Sequence, residues 1–571
     1  MLILVTGANG YIGSKVVTKL LDMGNEVVAV DLFCDHLDPR CHFIKADIFN
    51  PNEPLPIEKC PDVCLHLAWR NGFVHDSFTH MEDLSNHFTF LRTMIERGVK
   101  HIAVMGSAHE IGYYEGAVTS DTPTNPVSFY GIAKDSLRKA AEILCQKYNV
   151  TFQWLRAYYI YGDDTFGNSI FCKIRSAEKN GVDLFPFTSG KNKFDFLSID
   201  ELTEQICFAV TQKSVVGIIN ICSGKPVALG DMVERYLKQN NLKIKLDYGK
   251  FPEKKSESPC IYGDPSKINQ IMAQKQRLVL ITGGSGQVAY DCIKELKCRG
   301  YSNVRAVDVG ELDVSNEAAV KSFFQKERPS VVIHCAAWTA VDKAEQFPDA
   351  VMRVNALGTK YIAEACKDVG AAMVYFSTDY VFNGKGETPF EVNSPKDGLS
   401  VYGKSKSLGE DYVIQTLSSY FIVRISWVFG LNGRNFLKAI LNLATSGAKE
   451  ITVVNDQVGS ITYSVDLARL IVDMIETDRY GVYHATNEGF VSRSDLVREL
   501  LNQAGCPVPI KEVTTEEYNQ MVPAQADRPL NSRLDKSSLD RGGFARLPDW
   551  KNAISRYLIE LNMQTKKGDK K

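Results

Sequence analysis

The chain opens on MLILV, an apolar run too short for a helix, and passes at once into the glycine-rich TGANG. SKVVTKLLDMG then spaces its apolar residues as a helix does, and EVVAV returns to a continuous apolar run that ends in Asp31. The pattern predicts strand, tight loop, helix, strand. Near the middle of the chain it recurs, with RLVLI, a second glycine loop, YDCIKELKCRG and VRAV ending in Asp308. Later landmarks keep nearly the same offset: 276 positions from Gly7 to Gly283, 271 from Ser107 to Thr378, 272 from Tyr130 to Tyr402 and 268 from Arg156 to Arg424. So steady an offset predicts two copies of one fold. The expectation is an α/β protein of two tandem Rossmann-type, doubly wound parallel-sheet domains, residues 1–274 and 275–562, each with a small C-terminal substrate-binding subdomain. The join at MAQKQR, Met272 to Arg277, leaves no stretch for a closing helix on the first domain, and the basic tail 563–571 reads as frayed and solvated.

Composition narrows this only at the margins. At 571 residues the chain is too long for one ordinary core. A net charge of −2 gives no bulk basic field for nucleic acid or a membrane surface. No apolar run reaches membrane-spanning length, and the first residues already read as a strand, not a leader. The 14 cysteines hold no C-x-x-C pair, the nearest approach being Cys60 and Cys64, so a reducing cytoplasm is expected and no metal site.

Each glycine loop has a physical task. Gly7 and Gly283 permit the sharp turn after the strand, and Gly10 and Gly286 let the backbone approach a pyrophosphate at a helix N-terminus. The third position packs helix on sheet; it is Gly13 in the first copy and Ala289 in the second. Asp31 and Asp308 stand where an acid accepts from ribose hydroxyls, which favours NAD(H) without excluding NADP(H), one dinucleotide per half. Asp47, Gln287 and Asp313 complete the candidate cofactor set.

YGIAK places Tyr130 and Lys134 four apart, and YGKSK does the same for Tyr402 and Lys406, one helix face in each case. A lysine ammonium beside a phenol is expected to lower its pKa and make it a usable acid or base. Upstream, strands end in hydroxyls, Ser107 in AVMGSAHE and Thr378 in VYFSTDYVF. His75, His109 and Glu110 read either as a substrate acid/base group or as satisfied loop residues.

With loop, hydroxyl and Tyr/Lys in order twice, the chain resembles the extended short-chain dehydrogenase/reductases that act on nucleotide sugars. The second half is similar to the dTDP-4-dehydrorhamnose reductase family in HCAAWTAVDKAE, STDYVFNGKG, VYGKSKSLGE, VRISWVFG, NDQVGSITY and ADRPLNSRLD. The resemblance implies reduction of the C4 ketone of dTDP-4-dehydro-6-deoxy-L-mannose. Tyr402 would protonate the alkoxide, Lys406 support it and Thr378 bind the carbonyl oxygen, while Asp342, Asp379, Tyr380 and Trp427 would touch the sugar. The first half resembles the epimerase/dehydratase branch more generally, in HLAW, LRAYYIYG and FDFLSIDEL. Ser107, Tyr130 and Lys134 would be its catalytic set, with His109 at the substrate. Ala108 and His109 stand where dehydratases carry an Asp-Glu pair, which disfavours elimination and leaves an epimerase or ketoreductase. The resemblance is compatible with a homodimer. The rival reading is a non-catalytic, dinucleotide-binding regulatory module in one or both halves.

Overall fold

A computed structural model describes the chain except residues 51–54, 163–168, 254–256, 523–525 and 569–571. The chain divides into two compact units, Met1–Lys275 with Cys298–Gly300, and Gln276–Lys297 with Tyr301–Lys571.

The first unit is built on a parallel sheet of β1 (Leu2–Thr6), β2 (Glu26–Asp31), β3 (His42–Lys45), β4 (Val63–His66), β5 (His101–Ser107), β6 (Thr151–Ala157) and β7 (Gly217–Ile221). Their order is β7-β6-β5-β4-β1-β2-β3. The second unit repeats the plan with β8 (Val279–Thr282), β9 (Val304–Val307), β10 (Val331–His334), β11 (Ala372–Thr378), β12 (Tyr420–Ile425) and β13 (Gly481–His484), in the order β9-β8-β10-β11-β12-β13. The central strands β4, β5 and β10 are buried along their whole length. This is why they read as continuous apolar runs, not as alternating ones. In each sheet the strand order reverses beside the first strand, β1 or β8. That opens a crevice at the carboxyl ends of the strands, the usual place for a ligand in such a sheet.

Helix α1 (Tyr11–Asp22) follows the first glycine loop, and α2 (Phe129–Lys147) carries Tyr130 and Lys134. Helix α3 (Ser266–Gln276) packs Ile268 and Ile271 into the core of the first unit. The first unit therefore does end on a helix: most of the join the sequence offered as a linker is that helix's last turn, in which Lys275 is fully buried. Helix α4 (Gln287–Cys298) follows the second loop, α5 (Val401–Thr416) carries Tyr402 and Lys406, and α6 (Trp550–Gly568) closes the chain. The backbone of α6 continues into the tail expected to be frayed, of which 569–571 lie outside the described residues. Smaller sheets lie apart from the main one, such as Val458–Gly459 with Val491–Ser492 and Asn531–Ser532 in the second unit. Among the described residues no helix is long and apolar enough to cross a membrane.

Candidate active site

Three local devices place the reactive groups. A serine caps each Tyr/Lys helix: Ser128 Oγ accepts from Gly131 N at 3.2 Å and Ser400 Oγ from Gly403 N at 3.1 Å. The glycine after each tyrosine permits close approach of the turn that carries the hydroxyl. A Cβ on Gly131 would meet His109 O at 2.5 Å, and one on Gly403 would meet Tyr380 O at 2.1 Å. Ser107 and Thr378 end β5 and β11, and each then caps a short 3₁₀ turn. The result in both units is a hydroxyl beside the phenol, Ser107 by Tyr130 and Thr378 by Tyr402.

In the second unit one cavity of about 830 Å³ joins these groups to the glycine loop. Gly283, Gly286, Gln287, Asp308 and Asp313 line one end, with Thr378, Tyr402 and Lys406 in the middle and Asp379, Tyr380, Trp427, Arg493 and Arg528 beyond. The loop suits a dinucleotide. Gly283 has φ +67°, and a Cβ there would meet Ala336 Cα at 2.8 Å, so only glycine makes the turn. A Cβ on Gly286 would meet one protein atom, Gly283 O at 3.0 Å, so that face of the backbone is left open to a ligand. Asp308 Oδ2 accepts from Ser285 N at 3.0 Å, which holds the acid beside the loop. The first unit repeats the arrangement with Gly7 at φ +65° and Asp31 Oδ2 accepting from Asn9 N at 2.9 Å. A cavity of about 410 Å³, lined by Asn9, Gly10 and Tyr11 among others, lies at this loop. Asp47 is exposed and caps its own turn through Phe49 N at 3.0 Å.

Burial, not the lysine, governs the phenols. It pushes Tyr130 up to about 12 and Tyr402 well above the usual phenol value. The expected lowering by the neighbouring lysine is thus reversed, because the lysines are buried too: each is pushed down to about 7. Lys134 Nζ donates to Met105 O at 2.7 Å and lies 3.7 Å from the Trp69 ring centre, against 5.8 Å from that of Tyr130. Lys406 Nζ lies 4.1 Å from the Tyr375 ring centre.

The family profile described as RmlD substrate binding domain matches residues 277–563, which include the second glycine loop and all of this cavity. The chain belongs to the RmlD substrate binding domain family. A second profile, the NAD dependent epimerase/dehydratase family, matches residues 3–222. The chain is 40% identical over 271 residues to a dTDP-6-deoxy-L-talose 4-dehydrogenase (NAD(+)) of Aggregatibacter actinomycetemcomitans, covering 46% of this chain and 99% of that protein. It is 36% identical over 283 residues to a dTDP-4-dehydrorhamnose reductase of Streptomyces griseus, covering 48% and 91%. Among solved structures it is similar to a Bacillus anthracis dTDP-4-dehydrorhamnose reductase in complex with NADP, with 37% identity, TM-score 0.48, 50% of this chain and 99% of that one.

In the RmlD half the sugar-side candidates divide. Tyr380 stands edge-on to Tyr402 with ring centres 5.6 Å apart, and Asp379 Oδ1 accepts from Thr378 Oγ1 at 3.0 Å. Burial pushes Asp379 up to about 6, against the Ser532 hydroxyl nearby and the hydrogen bond from Thr378. Trp427 belongs to the cavity wall and adopts φ +45°, a left-handed conformation costly for a tryptophan. Asp342 is paired with a cavity residue: its two oxygens accept from Arg528 Nη2 at 3.0 and 2.8 Å, and Arg528 lines the cavity. Arg493 was not foreseen. It lies in VSRSDL, where nothing local marks it, and the tertiary fold lays it over Trp427.

In the epimerase-like half the His75, His109 and Glu110 group comes apart. The His75 and His109 rings lie 4.2 Å apart, His75 stacked on Tyr130 at 5.2 Å and His109 edge-on to it at 5.9 Å. Glu110 turns inward. It is fully buried and accepts from Trp154 Nε1 at 2.9 Å and Ser107 N at 2.6 Å, so it cannot meet a substrate.

Proposed function

We propose that the protein is a pair of NAD(P)H-dependent nucleotide-sugar C4 oxidoreductases that share one ketone. The second half reduces dTDP-4-dehydro-6-deoxy-L-mannose to dTDP-L-rhamnose, and the first half acts at the same C4 to give the opposite configuration, dTDP-6-deoxy-L-talose. The observation that carries this reading is the continuous cavity in which the glycine loop, the Thr378–Tyr402–Lys406 set and the Trp427–Tyr380 wall meet. For the first half the support is the same hydroxyl, phenol and lysine on the same elements, together with the similarity to a talose 4-dehydrogenase over about the length of one half. Rhamnose and 6-deoxytalose of the L series differ only at C4, so a single ketone serves both.

The bound nicotinamide dinucleotide would supply the hydride to C4. The rest is done by side chains. Thr378 or Ser107 holds the carbonyl oxygen, and Tyr402 or Tyr130 gives that oxygen its proton as the C=O bond opens. A phenol raised by burial stays protonated at neutral pH, the form a proton donor needs. The lysine ammonium offsets the phenolate left behind. Ala108 carries no carboxylate and the one beside Ser107, Glu110, is fully buried, so no acid faces the substrate there to drive elimination of water.

The test is to incubate the intact chain with dTDP-4-dehydro-6-deoxy-L-mannose and NADH or NADPH and read the C4 configuration of the products by proton NMR. Both C4 epimers are expected. Formation of neither would refute the reading, and formation of dTDP-L-rhamnose alone would refute its first-half part.

A further inference from the structure

The far wall of the second cavity carries a charge that the chain itself does not neutralise. Arg493 holds its guanidinium carbon over the Trp427 ring, 3.8 Å from the ring centre, with that of Phe436 at 4.9 Å. Among the described residues no carboxylate lies within ion-pair distance of it, whereas the neighbouring Arg528 is paired with Asp342 at 2.8 Å. Burial pushes Arg493 down to about 10, with Arg528 adding repulsion and Tyr380 and Asp379 opposing it. A cation held at such a cost against two aromatic faces needs an anion from outside. The pyrophosphate of a dinucleotide already has its place at the other end of the cavity, where the backbone of Gly286 opens onto the start of α4.

We propose that Arg493 is the diphosphate-binding residue of the second half, with Trp427 as the platform that presents its N–H edge to the sugar nucleotide. This rests on the nucleotide-sugar reading above and adds to it the residue that recognises the anion. The geometry suits the task. A guanidinium stacked on an indole loses one face and keeps its planar fork of donors, which matches two phosphate oxygens side by side. The strained φ of Trp427, +45°, is accounted for if the ring must lie under that fork.

The experiment uses the intact chain and its Arg493→Gln, Arg493→Lys and Arg434→Gln variants, titrated calorimetrically with dTDP and with thymidine. Arg434 is a control, because it lines the same cavity but is exposed to solvent. Arg493→Gln should weaken one dTDP site by about 10- to 100-fold, the loss expected for charged hydrogen bonds, and leave thymidine unmoved. Arg493→Lys should fall between, since it keeps the charge and loses the fork. Arg434→Gln should change dTDP affinity by less than about threefold, as a solvated charge does. In turnover, Arg493→Gln should raise KM for the ketosugar in dTDP-L-rhamnose formation far more than it lowers kcat. An unchanged dTDP isotherm for Arg493→Gln overturns the proposal. So does an equal loss of thymidine, which would mean that Arg493 only props the wall, or a dominant loss in Arg434→Gln. A wild-type chain that binds no dTDP overturns the nucleotide-sugar reading, and this inference with it.

Discussion

In the first unit the buried Arg156 meets Glu110, which follows Ser107 at the end of β5; in the second, Arg424 at the matching place meets Glu410, which rides on α5 eight residues after Tyr402. Each unit lacks what the other uses. Val381 stands where Glu110 would be, and Arg138 stands where Glu410 would be. The geometry differs as well. Arg424 reaches Glu410 with two bonds of 2.8 and 2.7 Å, which outweigh burial and hold that carboxyl below its ordinary value. Arg156 stays 3.4 Å from Glu110, and there burial wins and pushes the carboxyl up. The fold demands a neutralised arginine at this strand and leaves open which element supplies the acid. With the acid on the helix, the turn after the hydroxyl strand carries Val381 in place of a buried carboxylate, and its two preceding residues, Asp379 and Tyr380, line the cavity. The first unit, whose carboxylate occupies that turn, has Ala108 and His109 instead.

The comparison breaks first at the phenols. Tyr402→Phe should lower dTDP-L-rhamnose formation by about 10²–10⁴-fold and spare the C4 epimer, and Tyr130→Phe should do the reverse. NMR analysis of the product mixture checks this; loss of both products in either variant would show a single working site. Next come the buried pairs. Glu110→Val and Glu410→Val should each cost about 3–5 kcal/mol by stranding an arginine, seen as an earlier thermal transition. Glu110→Val combined with Arg138→Glu transplants the second unit's solution into the first, and calorimetry should show part of that stability return. No recovery would mean the two networks are not equivalent.

Asp379 gives the third test. Its carboxyl is raised from 3.8 to about 6 in the folded chain, so the folded state is penalised where the group must ionise. The penalty is absent below about pH 4, grows between pH 4 and 6, and stands above that at up to about 3 kcal/mol. Asp379→Asn should therefore melt higher than wild type at pH 7 and lose that advantage near pH 4. A constant difference across the range would show that Asp379 does not titrate there. The smallest effects belong to the loops. A Cβ on Gly13 would meet Gly7 O at 2.1 Å, whereas the methyl of Ala289 sits fully buried in the core of its unit. Gly13→Ala should cost about 1–3 kcal/mol through overpacking, and Ala289→Gly about 0.5–1 kcal/mol. NADH affinity in Ala289→Gly should stay within a few fold, while Gly286→Ala should weaken it much more. Equal losses in these two would place residue 289 at the cofactor.

What could be read without the fold was local or repeated. The glycine turns, the strand-end Asp31 and Asp308, the four-residue Tyr/Lys spacing and the twofold plan all depend on neighbours within a few residues or on self-similarity, and the chain displays both directly. The residues whose surroundings the sequence left open, or that it missed, depend on distant partners. Asp342 is taken up by Arg528, 186 positions away, and Glu110 by Trp154, 44 positions away. Arg493 reaches the cavity only because the C-terminal part folds over Trp427. The phenol pKa values followed the same rule. Adjacency on a helix brings tyrosine and lysine near one another, but the desolvation that outweighs their attraction comes from the whole packed core. Sequence spacing therefore determined which groups this protein brings to its sites. Tertiary structure decided their charge and their partners, because burial and long-range pairing are properties of the packed chain and of no segment within it.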